Sequence, residues 1–167
     1  MTADKTAIVT GAGKRVGAVI AQSLLADGWT VIAHVHHDAD EVPGGAVKAV
    51  ADLRDENCAG QIFAASKGLP AIRLLVNNAA RFARDAFGEF SANEFNSHMN
   101  VNVRATALLI DELAKRHSGG DALVVNLLDS KLAAPNPDYL SYTLSKYALG
   151  ALTELVARAL AERSIRR

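Results

Sequence analysis

The chain has 167 residues, 18 Lys plus Arg against 18 Asp plus Glu, and half of its residues are hydrophobic. That length and apolar content suit one domain spanning 1–167 and exclude a disordered chain. The balanced charge excludes a nucleic-acid binder that works through a basic face. Cys58 is the single cysteine, which excludes an internal disulfide and a cysteine-rich zinc site, and no metal is expected. The start, MTADKTAIVTG, lacks the apolar stretch of a signal peptide, and no window reaches the ~20 apolar residues of a membrane span. These features predict a cytoplasmic protein with no membrane segment.

Short apolar runs of β type alternate with helical stretches. The first run, Thr6–Thr10, passes through a glycine-bearing turn into a helix predicted over Val16–Asp27, with Gly28 as its C-cap. Runs at Thr30–Val35 and Val47–Asp52 follow. The eleven residues between them include Pro43-Gly44-Gly45, too few and too turn-rich for a crossover helix. A helix is predicted over Glu56–Lys67 and a strand over Leu74–Asn77. A long helix is predicted over Ala92–His117, with Ser91 as its N-cap and Gly119-Gly120 as its stop. The strand Ala122–Leu127 and the helix Leu140–Arg163 complete the series. Nearly unbroken apolar strands read as buried on both faces of a parallel sheet. Their alternation with helices predicts an α/β fold with an open, doubly wound sheet.

The turn Thr10-Gly11-Ala12-Gly13-Lys14-Arg15-Val16-Gly17 links a strand to a helix. Glycines there permit a sharp turn and let a phosphate approach the free N–H groups of the helix start. An ordinary tight strand–helix turn is the alternative. At the end of the second strand, where a binder of NAD usually places Asp or Glu, stands His34-Val35-His36-His37. With Lys14 and Arg15 in the loop, these cations suit a 2′-phosphate and favour NADPH, against the nearby Asp38 and Asp40. A solvated loop, or less readily a zinc cluster, is the other reading of the histidines.

Tyr142 and Lys146 lie four residues apart in a predicted helix, so they share one face. An ammonium beside a phenol favours phenolate and is expected to lower its pKa toward the working range for proton transfer. Taken alone, the pair also reads as an exposed helix face.

Together, Thr10-Gly11, Asp52, Asn77-Asn78-Ala79, Asn102 and Tyr142-x-x-x-Lys146 occur in the order shown by short-chain dehydrogenases/reductases, which the chain resembles over nearly its whole length. The resemblance implies a Rossmann-type fold and an NADP-dependent oxidoreductase acting on a small molecule. It implies cofactor contacts at Gly11, Gly13, Lys14, Arg15, Val16, Gly17, His36, His37, Asp52, Leu53, Asn78, Ala79, Tyr142 and Lys146. Asp52 would contact the adenine side, Asn78 would support the central strand, and Asn102 would anchor a catalytic water. Tyr142 would donate the proton, and Lys146 would hold the nicotinamide ribose. The superfamily's two long helices usually pair across a dimer, which implies a homodimer or homotetramer.

Most members carry Ser thirteen residues before the catalytic Tyr; here that position is Asp129, with Ser130 next to it. The loop position that most fill with Gly or Ala is Arg15. Both departures resemble pteridine reductases and dihydromonapterin reductases, as does His34-x-His36. Phe82 falls where those enzymes stack an aromatic ring on the pterin. The resemblance thus implies hydride transfer to a pterin-type C=N bond, with Asp129, Tyr142 and Phe82 at the substrate. Arg81 and Arg84 flank Phe82 as anion contacts or as a solvated rim. A carbonyl or 3-oxoacyl reductase, or a non-catalytic nucleotide-binding and dimerising remnant, stays open. Against the family pattern the chain lacks one crossover helix and the C-terminal strands. Ile165-Arg166 resembles the start of the next strand, so an exposed sheet edge is expected.

Overall fold

Six strands, β1 Thr6–Val9, β2 Thr30–Val35, β3 Val47–Val50, β4 Ile72–Asn77, β5 Ala122–Asn126 and β6 Ile165–Arg166, pair in parallel in the order β3-β2-β1-β4-β5-β6. The computed structural model describes residues 5–135 and 137–166. From β1 the chain builds the sheet one way to β3, then returns to the other side of β1 with β4. That reversal opens a crevice at the carboxyl ends of β1 and β4.

Alternate residues of each strand feed two cores. On one face Ile8, Ile32, Leu75 and Val124 meet Ile62 and Phe63 of α2 (Cys58–Ala64) and Leu109 and Leu113 of α4 (Ala105–Arg116). On the other, Val9, Val31 and Val76 meet Ala21, Ile20 and Leu24 of α1 (Arg15–Ala26). This is the doubly wound α/β arrangement expected. Gly28 ends α1 at φ +79°, with its N–H on the Leu25 carbonyl and the Trp29 N–H on Leu24, a Schellman closure. No helix joins β2 to β3; turns carry the chain across.

The long helix is not uniform. Ser91 caps α3 (Ala92–Met99) by accepting the Glu94 N–H at 3.4 Å, but Asn100–Arg104 then forms a π-helical turn before α4 begins. The turn's wider winding aims Asn102 inward, where it is buried. α5 (Leu140–Ala159) packs against α3 and this turn, ending four residues before the expected boundary. At the sheet edge, β6 pairs only with Ala122 and Leu123, so the outer edge of Val124–Asn126 has no strand partner among the described residues. No helix among the described residues is long and apolar enough to cross a membrane.

Candidate active site

The glycine loop is held by the strands around it. Thr10 Oγ1 accepts the N–H groups of Asn78 and Ala79, each at 3.0 Å. The Asn78 amide returns to the Thr10 carbonyl at 2.8 Å, tying the end of β4 to the start of the loop. Gly11 turns at φ +65°, and a Cβ on Gly17 would fall 2.2 Å from the Gly11 carbonyl oxygen. Only glycine lets α1 start this close to β1. Arg15 opens α1 at φ +53°, a left-handed position where most residues are strained. Neither a capping side chain nor an acidic residue of its own occupies the first turn, so the first N–H groups of α1 have no partner from within the helix start.

The histidines divide. His34, within β2 where the apolar run placed it, is buried: its Nδ1 accepts the Gly11 N–H at 3.2 Å, and its Nε2 lies 3.1 Å from the Ala51 carbonyl. Burial holds its pKa below the ordinary value. His36 and His37 are exposed, their rings 4.0 Å apart. Asp38 pairs with Lys48 at 3.9 Å, while Asp40 accepts the His37 N–H at 3.1 Å. Lys14 and Arg15 have no salt-bridge partner among the described residues. Asp52 is clamped by Arg54, at 2.7 Å, with His36 3.6 Å away, and this pairing holds its carboxyl well below the usual carboxylate range. Leu53 is a core residue, whereas Val16 stands exposed at the corner of the loop.

Tyr142 and Lys146 are both buried on α5. The Tyr142 hydroxyl donates to Asp129 Oδ2 at 2.5 Å. Asp129 Oδ1 meanwhile accepts the Lys131 N–H at 2.9 Å and caps the short turn Ser130–Leu132, so this carboxylate both caps and faces the phenol. Among the described residues the Ser130 hydroxyl bonds only Asp129. Lys146 Nζ donates to the Leu127 carbonyl at 2.7 Å and sits 5.8 Å from the Tyr142 ring centre. The expected lowering of the phenol pKa is therefore corrected. Burial, and then the Asp129 carboxylate, raise it and keep the phenol protonated. Burial lowers Lys146, with Asp129 partly opposing, and the Tyr142 hydrogen bond is the chief cause that lowers Asp129.

Beyond β4 the chain has no regular structure, yet its burial alternates residue by residue from Arg81 to Asp85. The Asn102 amide accepts the Arg81 N–H at 2.8 Å and donates to the Arg81 carbonyl and to Ser145. Its side chain is thus committed to the protein. His98, fully buried, accepts the Ala83 N–H at 3.1 Å through Nε2. Asp85 is bound to Ser141. Between these anchors Phe82 is 57% exposed, stacked on Tyr139 at 4.4 Å and edge-on to Tyr142 at 4.7 Å. Arg81 is paired with Glu94, and Arg84 with Glu89 and Asp138. Sequence reasoning missed His34 as a loop anchor, and His98, Asp85, Ser141 and Tyr139 altogether. For His34 a signal existed: it interrupts an apolar strand that ends beside the glycine loop. No group of His, Cys, Asp and Glu that could hold a metal occurs among the described residues.

The sequence profile of the family described as "short chain dehydrogenase" matches residues 5–167. The chain belongs to the short-chain dehydrogenase family. A "Short-chain type dehydrogenase/reductase" of Picea abies is 30% identical over 93% of this chain and 65% of its own length. "Pteridine reductase 1" of Leishmania tarentolae is 29% identical over 99% of this chain and 76% of its own. Among solved structures, FolM Alternative dihydrofolate reductase 1 of Brucella canis, complexed with NADP, matches with a TM-score of 0.91 at 34% identity, covering 99% of this chain and 72% of that one. The chain thus spans less than two thirds of the length of the first of these family members and about three quarters of the others.

Proposed function

We propose that the chain binds NADP(H) across the glycine loop and serves the reduction of a pterin-type C=N bond, with Tyr142 as proton donor. The donor set fits such a dinucleotide. The uncapped start of α1 and the tight Gly11–Gly17 approach suit a pyrophosphate, and Lys14, Arg15, His36 and His37 suit a 2′-phosphate. The NADP-bound Brucella structure supports the same reading. When bound, the dinucleotide supplies the hydride. The chain supplies the proton and the orientation. Tyr142 stays a phenol at neutral pH, so a proton is in place at its hydroxyl. Asp129 holds that hydroxyl and offers an acceptor for the amide-like and amine N–H groups of a pterin. Phe82 presents a flat apolar face beside both. Lys146, fixed on the Leu127 carbonyl, adds positive charge near the phenol and a donor toward a ribose.

The observation that carries this reading is the hydrogen bond from Tyr142 to Asp129, a carboxylate where a ketone reductase carries a polarising hydroxyl. The apolar residues Leu144, Tyr147 and Leu155, all exposed on α5, support self-association as a homodimer or homotetramer. The test follows NADPH oxidation with a dihydropterin and with a 3-oxoacyl thioester. Reduction of the pterin is expected, and Asp129→Ser is expected to turn preference toward the ketone. Thioester reduction without pterin reduction overturns the substrate class. NADPH binding without turnover of either leaves a nucleotide-binding protein.

A further inference from the structure

We propose that Asp85 is a positioning residue for the proton donor, a cap brought from the substrate-side loop to fix the start of the helix that carries Tyr142. The inference rests on Tyr142 being the donor, and the geometry is as follows. The residue at the N-cap of α5, Tyr139, has φ +62° and offers no side-chain cap. Asp85, 56 residues before Ser141 in sequence, performs that task. Its Oδ1 accepts the Ser141 N–H at 3.0 Å, its Oδ2 accepts the Ser141 hydroxyl, and its carbonyl accepts the Leu140 N–H at 3.2 Å. Both side chains are buried, Asp85 at 4% exposure and Ser141 at 0%. A carboxylate at a helix start is stabilised by the first-turn N–H groups and by the helix dipole. Here the same carboxylate also anchors the loop that carries Phe82, three residues before it.

Ser141 immediately precedes Tyr142, so three hydrogen bonds to Asp85 leave the first turn of α5 little freedom to rotate. Tyr142 must keep its hydroxyl on Asp129, which comes from β5 and its following turn, not from α5. A loosened helix start shifts the phenol while Asp129 stays. Asp85 also ties the Phe82 face and the Tyr142 hydroxyl to one reference point, so platform and donor move together. The exposed pairs Arg84–Glu89 and Arg84–Asp138 hold the same loop only from the solvent side.

The test uses Asp85→Asn, which keeps one acceptor for the Ser141 N–H, and Ser141→Ala, which removes only the hydroxyl bond and serves if the first variant does not fold. Each is read in three ways. In a Tyr139→Phe, Tyr147→Phe background Tyr142 is the only tyrosine of the chain's three, so ultraviolet titration reports its phenol alone. That titration is expected to move to lower pH as the Asp129 bond weakens. Amide hydrogen exchange at residues 141–146 is expected to quicken at least tenfold, with α1 unchanged. With NADPH and a dihydropterin, kcat is expected to fall up to about 100-fold while NADPH affinity stays within twofold. A lower melting temperature with an unmoved Tyr142 titration and unmoved kcat overturns the proposal, because Asp85 is then only a helix cap. Wild-type protein that reduces no pterin overturns the proposed function instead, and the titration and exchange readouts still decide the role of Asp85.

Discussion

The imidazole of His34 stands between the Gly11 N–H, which it accepts at 3.2 Å, and the Ala51 carbonyl, 3.1 Å from its other nitrogen. Because Gly11 donates to Nδ1, the ring hydrogen sits on Nε2 and points at Ala51. One neutral side chain therefore joins the glycine loop, β2 and the end of β3. A second ring proton would face the Gly11 N–H, leaving a buried donor without an acceptor at a cost of roughly 1–3 kcal/mol.

This arrangement makes the glycine loop sensitive to acid. Burial, with His36 adding repulsion, holds His34 below its ordinary 6.5 in the folded chain. The unfolded chain takes up a proton near 6.5, the folded chain only at lower pH. The stability His34 contributes is complete above that value and is lost as pH falls through the folded pKa. Melting temperature and NADPH affinity are expected to decline together as pH falls below about 6.5. His34→Asn, which does not titrate, is expected to flatten both profiles. An unchanged acid decline in that variant would exclude His34 as its origin.

At Asp129 the sign is opposite. Its carboxylate raises the Tyr142 pKa, so Asp129→Asn is expected to bring the phenol titration to lower pH, measured with Tyr142 as the sole tyrosine. Pterin reduction is expected to fall by about 10²–10⁴-fold, the usual range for a lost acid–base partner. A phenol that titrates unchanged in this variant would mean that burial alone sets it.

Arg15 presents a trade between stability and cofactor choice. Its φ of +53° costs about 1–3 kcal/mol for a residue other than glycine. Arg15→Gly is expected to raise the melting temperature by about 2–4 °C per kcal/mol recovered. The same change removes a cation from the proposed 2′-phosphate site, so the ratio of NADPH to NADH affinity is expected to fall several-fold. Calorimetry and titration with both dinucleotides check the two effects separately, and a variant that melts lower contradicts the strain argument.

The strands were legible because each is short, apolar and bounded by turn residues, and Gly28 and Ser91 cap their helices where chain-local chemistry places them. The glycine loop was legible for the same reason: its constraint is local. What escaped the sequence is non-local. Asp85 and Ser141 meet across 56 residues, and nothing in either neighbourhood marks the pair. The Tyr142 environment was misjudged because helical spacing fixes which face Lys146 shares, but not what its ammonium binds. The Leu127 carbonyl, at the end of β5, takes that charge. The wide turn at Asn100–Arg104 was also hidden, since its winding depends on where Asn102 must point rather than on helix propensity.

That turn constrains how the gene can change. An α-helix advances about 100° per residue, so deleting one residue between 100 and 104 would let the backbone settle into a regular, more comfortable helix. The segment before the deletion would then swing by that angle relative to α4. Asn102 would leave Arg81, and His98, one turn earlier, would leave Ala83. Such a mutant is expected to look more helical by circular dichroism while its Phe82 loop comes undone, so a gain in regularity would mark the loss of the candidate site.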